Sequence, residues 1–162
     1  MQIGLKKLKV VAALSEETTC YTAEIWIDGA RAFLASNRGH GAMDDFHQVG
    51  PLTETEVNAW LAANRPATRL DDVVLEHNLE FEVAARITRS EEAKRLRRNF
   101  KKQLIVIDDG AVYGYPLKGR QASAVADAVR QRRPNIRVVN DDDAAIEDAI
   151  TIMIAKAEEP PA

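Results

Sequence analysis

The sequence predicts an α+β fold: an N-terminal antiparallel three-strand meander, a helical middle, and a C-terminal hairpin followed by α-β-α. Three observations carry this reading. Alternating apolar runs flank Asp28-Gly29, a capping box at Thr53–Glu56 opens a region of helical periodicity, and a second pair of apolar runs flanks Asp109-Gly110. The 162 residues suit one domain. Within it the sheet, 1–50, and the helical and αβ portion, 51–158, form the natural subdivision.

Leu8, Val10, Ala12 and Leu14 alternate with Lys7, Lys9, Val11 and Ala13, which is the period of a strand. CYTAEIWI and ARAFLASN follow, joined by Asp28-Gly29. That dipeptide suits a type I′ turn, whose two central residues both need positive φ. A two-residue loop places Ile27 opposite Ala30, Ile25 opposite Ala32, Ala23 opposite Leu34 and Tyr21 opposite Ser36 on an apolar face. The other face then pairs Trp26 with Arg31, Glu24 with Phe33, Thr22 with Ala35 and Cys20 with Asn37. A slip of one residue would exchange the two sets, so the register is expected to be firm.

In the middle, Thr53 and Glu56 cap a helix whose stripe is Val57, Trp60 and Leu61, ending before Pro66. Leu70, Val73, Val74, His77, Phe81 and Ala84 make a second helical pattern, and Ala93, Leu96 and Phe100 a third. Thr88 and Glu91 either cap the third helix, or the second and third are one long helix. QLIVID and AVYGYP then form a hairpin that is apolar on both faces, Ile105 and Ile107 on one, Leu104, Val106, Tyr113 and Tyr115 on the other. Such a pair belongs inside a sheet. Ala122, Val125, Ala126 and Val129 mark a helix ending at Arg133-Pro134, and Ile136 and Val138 a short strand. Asp141 to Asp143 open a last helix that buries Ile146, Ala149, Ile150, Met153 and Ile154, with acidic residues at the positive end of its dipole. The tail EEPPA is expected to fray.

Composition narrows the function. Hydrophobic residues make up 46% and charged residues 29%, with a net charge of -3, as in soluble globular proteins. A mildly acidic chain argues against nucleic-acid binding over its whole surface while allowing a local basic patch. The single cysteine, Cys20, suits a reducing cytoplasm, the localisation expected here. Lysines interrupt the apolar run of MQIGLKKLKVVAAL, which makes it a poor signal peptide. The longest apolar stretch, near Ile150 to Ala155, is too short to span a membrane.

The hairpin register brings SEETTC and SNRGHG to one end of the sheet. Glu17, Cys20 and His40 are therefore candidates for general acid-base or nucleophilic chemistry. His40, Asp44, Asp45 and His47 are candidates for a metal, and Arg38 with Gly39 and Gly41 for a phosphate. No HExxH, paired CxxC, nucleophile elbow or nucleotide loop supports any of these, so no cofactor is expected. The competing reading is a structural turn whose glycines serve the backbone. A second candidate is the basic helix 86–102, with Arg89, Lys94, Arg95, Arg97, Arg98, Lys101 and Lys102 available for phosphates or an acidic protein surface. The hairpin face with Trp26, Arg31 and Phe33 could stack bases if no helix covers it.

SEETTC, the Asp-Gly hairpin, SNRGHG, RLRRNFKK, IDDGAVYGYPLKG and RQRRPNIRVVNDD follow one another between about Leu5 and Asp143. In that order of motifs the chain resembles a family of small uncharacterised phage and prophage proteins. Ala42 stands where that family has a further glycine. The resemblance supplies no functional residues. It implies an accessory protein in a bacterial host cytoplasm that binds a host protein, as an inhibitor or counter-defence factor. Nucleic-acid binding by 86–102, and a ligand site or enzyme at Glu17, Cys20 and His40, are the alternatives.

Overall fold

Turn chemistry sets the first sheet. In a computed structural model of the chain, which describes residues 1–70 and 72–158, Asp28 and Gly29 adopt φ of 49° and 84°. They close β2 (Tyr21–Ile27) onto β3 (Ala30–Asn37). With β1 (Ile3–Val10) and β4 (Asp45–Gln48), these strands form a four-stranded antiparallel sheet in the order β1-β2-β3-β4. The expected meander is present and extended by one strand, because Asp45–Gln48 pairs with Phe33–Ser36 instead of lying in a loop. The first strand is shorter than its alternation implied. It ends at Val10, and Ala12–Leu14 is a 3₁₀ turn.

The β2–β3 register follows the turn for two pairs, Ile27 with Ala30 and Trp26 with Arg31, and then shifts. A β-bulge inserts Ala32, so Ile25 faces Phe33, Glu24 faces Leu34, Ala23 faces Ala35 and Tyr21 faces Asn37. Phe33 therefore lies on the opposite face from the one the ideal register assigned it. The bulge buries two consecutive residues, Ala32 and Phe33, and turns Leu34 outward. It puts the larger apolar side chain in the core, and its free carbonyl is satisfied: Ala32 O accepts the amides of Val49 (2.8 Å) and Gly50 (3.0 Å). A second bulge in β1, where Lys7 has φ 53°, sends Lys6 and Lys7 both to the outer face.

The chain divides into two compact units, Met1–Thr88 and Arg89–Ala162. A boundary near residue 50 would cut the first unit's core. Its sheet residues Ile3, Ile25, Ile27 and Phe33 pack with Val57 and Leu61 of α1 (Glu54–Asn64) and with Leu79, Val83 and Ile87. The capping box forms as the sequence indicates, Glu56 N–H to the Thr53 hydroxyl and Thr53 N–H to the Glu56 carboxylate.

The second and third helical patterns are one helix, α2 (Leu79–Asn99), so Thr88 and Glu91 are interior and cap nothing. It starts eleven residues on from Thr68, where β5 (Thr68–Leu70) and β6 (Val73–Leu75) form a small antiparallel pair in place of the expected helix. Val73 and Val74 are more than half exposed, at 56% and 57%. β-Branched side chains lose rotamer freedom in a helix and suit a strand, so a pattern with no burial behind it yields to strand propensity. Asn78 then starts α2 by accepting the amide of Phe81 (2.9 Å).

Glu82 of α2 is a buried charged side chain of this unit, with 8% of its side chain exposed. Its carboxylate accepts from Arg86 (2.5 Å) and His77 (3.0 Å), and Arg65 lies 3.4 Å away. Burial pushes its pKa up, but the Arg86, His77 and Arg65 charges and bonds outweigh that and hold it below the ordinary value. A lowered folded pKa means the stabilisation is complete above the unfolded pKa of about 4.3 and is lost as pH falls through the folded value. Glu82→Gln should cost about 1.5–3 kcal/mol at neutral pH. Urea midpoints of the parent and variant should draw together as pH falls from about 4.3 through the lowered folded value; parallel pH profiles would remove Glu82 from the acid transition.

In the second unit β7 (Gln103–Asp108) lies between β8 (Ala111–Pro116) and β9 (Arg137–Val138), so of the pair expected inside a sheet only β7 is central and β8 is an edge strand with no fully buried residue. The Asp109-Gly110 turn has the expected two-residue geometry, φ 48° and 71°, and the register runs without a bulge from Asp108↔Ala111 to Gln103↔Pro116. Both faces of β7 are covered, as its composition predicts. Ile105 packs with Ala93 and Leu96 of α2 and with Ile146 and Ile150 of α4 (Asp143–Glu158). Leu104 and Val106 pack with Val125 and Ala126 of α3 (Ala122–Arg130). Asp142 caps α4 through the Ala145 amide (3.0 Å). Residues 159–162 of the tail lie outside the described residues.

Candidate functional site

SEETTC and SNRGHG do meet, and the residue that joins them is Asn37. Buried at the end of β3, it accepts the Gly39 amide (2.8 Å) and the Thr18 hydroxyl (2.8 Å) on Oδ1. Its Nδ2 donates to Ala42 O (2.9 Å) and Asp44 Oδ1 (2.8 Å). Gly39 O in turn accepts the amides of Glu16 and Glu17, both at 3.0 Å, and Gly41 N–H donates to Thr18 Oγ1 (3.3 Å). Gly39 sits at φ 87°, and a Cβ there would collide with the Leu14 carbonyl and touch Cys20 Cβ. The two loops are thus laced together by backbone and amide groups. An Asn ending a strand, with Gly two residues on, is the sequence signal for this Asx-type turn.

The candidate catalytic residues do not converge in this frame. His40 Nδ1 lies 3.2 Å from Glu16 Oε2 instead of near Glu17, and both side chains are mostly in solvent. An exposed pair of this kind neither desolvates nor orients a general base. Cys20 is half-buried, and its amide donates to Ser15 Oγ (2.9 Å). Among the described residues no hydrogen bond links its thiol to His40. Arg38 is exposed.

The metal candidates separate as well. Asp44 accepts the Tyr21 hydroxyl (2.5 Å) as well as Asn37, and burial and then Asp44 push the Tyr21 pKa up. Asp45 and His47 alternate on β4 and line the outer face of the sheet, while His40 is on the loop. Among the described residues no group of three His, Cys, Asp or Glu is placed to hold a metal ion.

The basic stretch 86–102 is helical only to Asn99. Most of its cations are engaged: Arg86 with Glu82, Arg89 with Glu147 (2.9 Å), Lys94 with Glu91 (2.8 Å), Arg95 with Glu92 (2.6 Å) and Arg97 with Asp143 (2.9 Å). Arg98, Lys101 and Lys102 remain without an ion pair among the described residues. The sequence shows the crowding of cations but not the carboxylates of α4 that α2 packs against.

The Trp26 face of the first sheet is the better-built surface. The core lies wholly on the opposite side, and Trp26, Arg31, Leu34 and Lys7 stay partly or largely in solvent. Glu24 is at its centre. It accepts from Lys7 Nζ (2.9 Å), Trp26 Nε1 (3.1 Å) and Arg31 (3.4 Å), and Lys7 and then Trp26 hold its carboxyl below the usual range. Lys6 Nζ lies 3.4 Å over the Trp26 ring. Glu24 was missed as an organising residue, because in the ideal register it faces Phe33. Phe33 itself leaves the candidate face for the core.

No family model, curated protein or solved structure matches the chain. Among the described residues no helix is long and apolar enough to cross a membrane.

Proposed function

We propose that the protein is a non-catalytic binding protein that engages a protein partner through the outer face of the first sheet, around Trp26, Arg31, Leu34 and Lys6. One observation carries this reading: a partly exposed Trp26 and an exposed Arg31, both donating to a Glu24 that also accepts Lys7, share the face with an exposed Leu34. Tryptophan and arginine anchors on a pre-ordered patch are the composition of binding hot spots. The separation of Glu17, Cys20 and His40 supports a binding role over a catalytic one. The phage-like order of motifs supports a bacterial host protein as the partner, with inhibition or counter-defence as the outcome. A nucleic-acid role for 86–102 has the weaker support, since ion pairs engage most of those cations.

The test is a comparative capture from bacterial lysate by the parent protein and by the Trp26→Ala, Leu34→Gln double variant, read by mass spectrometry. Both substitutions are on the outer face, so the melting temperature should hold. At least one protein captured by the parent should be depleted tenfold or more with the variant. An identical set of captured proteins would end this assignment of the face.

A further inference from the structure

We propose that the second unit carries a binding site for a nucleoside phosphate in the cleft between β8 and α3. The cleft has a volume of about 730 Å³, inside the range of roughly 300–1,000 Å³ that small ligands occupy. Val125 and Val129, one turn apart on α3, form an apolar floor, and the Tyr115 side chain of β8 lines one wall. Four cations, Lys118, Arg120, Arg132 and Arg133, stand around it, and no carboxylate lines it. That balance is unusual in a chain of net charge -3.

Both segments that bear the cations are held by backbone hydrogen bonds. Lys118 and Gly119 adopt φ of 49° and 78°, and Arg120 N–H closes the turn on Leu117 O (3.0 Å). The amides of Arg132 (3.0 Å) and Arg133 (2.9 Å) both donate to Val129 O at the end of α3. Arg133 is further fixed by Asp108 (2.6 Å), and its guanidinium lies 5.1 Å from the Tyr113 ring centre. Lys118, Arg120 and Arg132 have no ion pair among the described residues, so their charge is available to a ligand. Arginine forks bind phosphate oxygens two at a time.

The apolar floor and aromatic wall decide the ligand class. An inorganic anion would leave them unfilled, whereas a nucleotide places its base or sugar there and its phosphates among the cations. Four cations lining one concave site suit a compact, multiply charged anion, in contrast to the line of cations that tracks a strand. The sequence signals are LKGR and RQRR, which flank α3 and are 12 positions apart at Arg120 and Arg132; only the fold brings them to one cleft.

The experiment is a fluorescence-anisotropy titration of the full chain into ADP labelled on the ribose with N-methylanthraniloyl. Saturable binding is expected, weakened about tenfold or more by the Arg120→Ala, Arg132→Ala pair and by Lys118→Glu alone. Melting temperatures report on folding, and all three residues are exposed. The control pair Lys94→Ala, Arg98→Ala on α2 should stay within about twofold of the parent. The proposal would be overturned by no saturation at low salt, by equal weakening by the control pair, or by displacement of the label by pyrophosphate as readily as by ADP. Displacement by a single-stranded DNA decamer at lower concentration than ADP would reassign the cleft to a strand and so also overturn it.

Discussion

Phe33→Ala should destabilise the first unit by about 3–5 kcal/mol, the cost of emptying a fully buried aromatic site. Leu34→Ala, one residue on, should cost less than about 1 kcal/mol, because that side chain is 41% exposed on the outer face. Without the bulge at Ala32 the two costs would be reversed, since the ideal two-residue register points Phe33 outward and Leu34 in. Urea unfolding of both variants therefore measures the register directly. A small effect at Phe33 and a large one at Leu34 would show that β3 pairs without the bulge.

The second large effect is expected at Gly39. Gly39→Ala places a Cβ against the Leu14 carbonyl and forces a side-chain-bearing residue to hold φ 87°, which together should cost about 3 kcal/mol or more. The carbonyl of Gly39 accepts three amides of the neighbouring loop, so the strain also reaches Glu16, Glu17 and Thr18. His40→Ala, next in sequence, should change stability by no more than about 0.5 kcal/mol, because an exposed ion pair contributes little. The contrast separates the two readings of this loop. A backbone turn loses its fold at Gly39 and nothing at His40. A histidine-centred site would instead lose its activity at His40 with the fold intact.

Of these two positions, the turn at Gly39 was legible in the sequence and the burial of Phe33 was not. The Asp-Gly dipeptides locate both hairpins, and Thr53 with Glu56 locates α1 to the residue, because turns and caps are made by side chains acting on their own backbone. The second hairpin keeps its ideal register, but its double-sided apolar pattern places only β7 correctly inside a sheet; β8, expected there too, is an edge strand. The meeting of SEETTC with SNRGHG was likewise readable, since a two-residue turn fixes which ends of two strands coincide.

What was not legible depends on partners distant in sequence. The Ala32 bulge forms because Val49 and Gly50 satisfy its carbonyl and because the core gains a phenylalanine. Neither fact is present in ARAFLASN. Val73 and Val74 carry a helical spacing that nothing buries, so they pair as a strand. Arg89 and Arg97 of the basic stretch 86–102 read as free cations until Glu147 and Asp143 of α4 arrive beside them. The sequence by itself determined the α+β class, the two Asp-Gly turns and the Thr53–Glu56 cap, all of them local interactions over a few residues. Tertiary structure decided the register of β3, the pairing of charges and the gathering of Lys118, Arg120, Arg132 and Arg133 about one cleft. Each of those depends on which distant groups compete for the same core space, carbonyl or carboxylate, and that competition is settled only when the chain is packed.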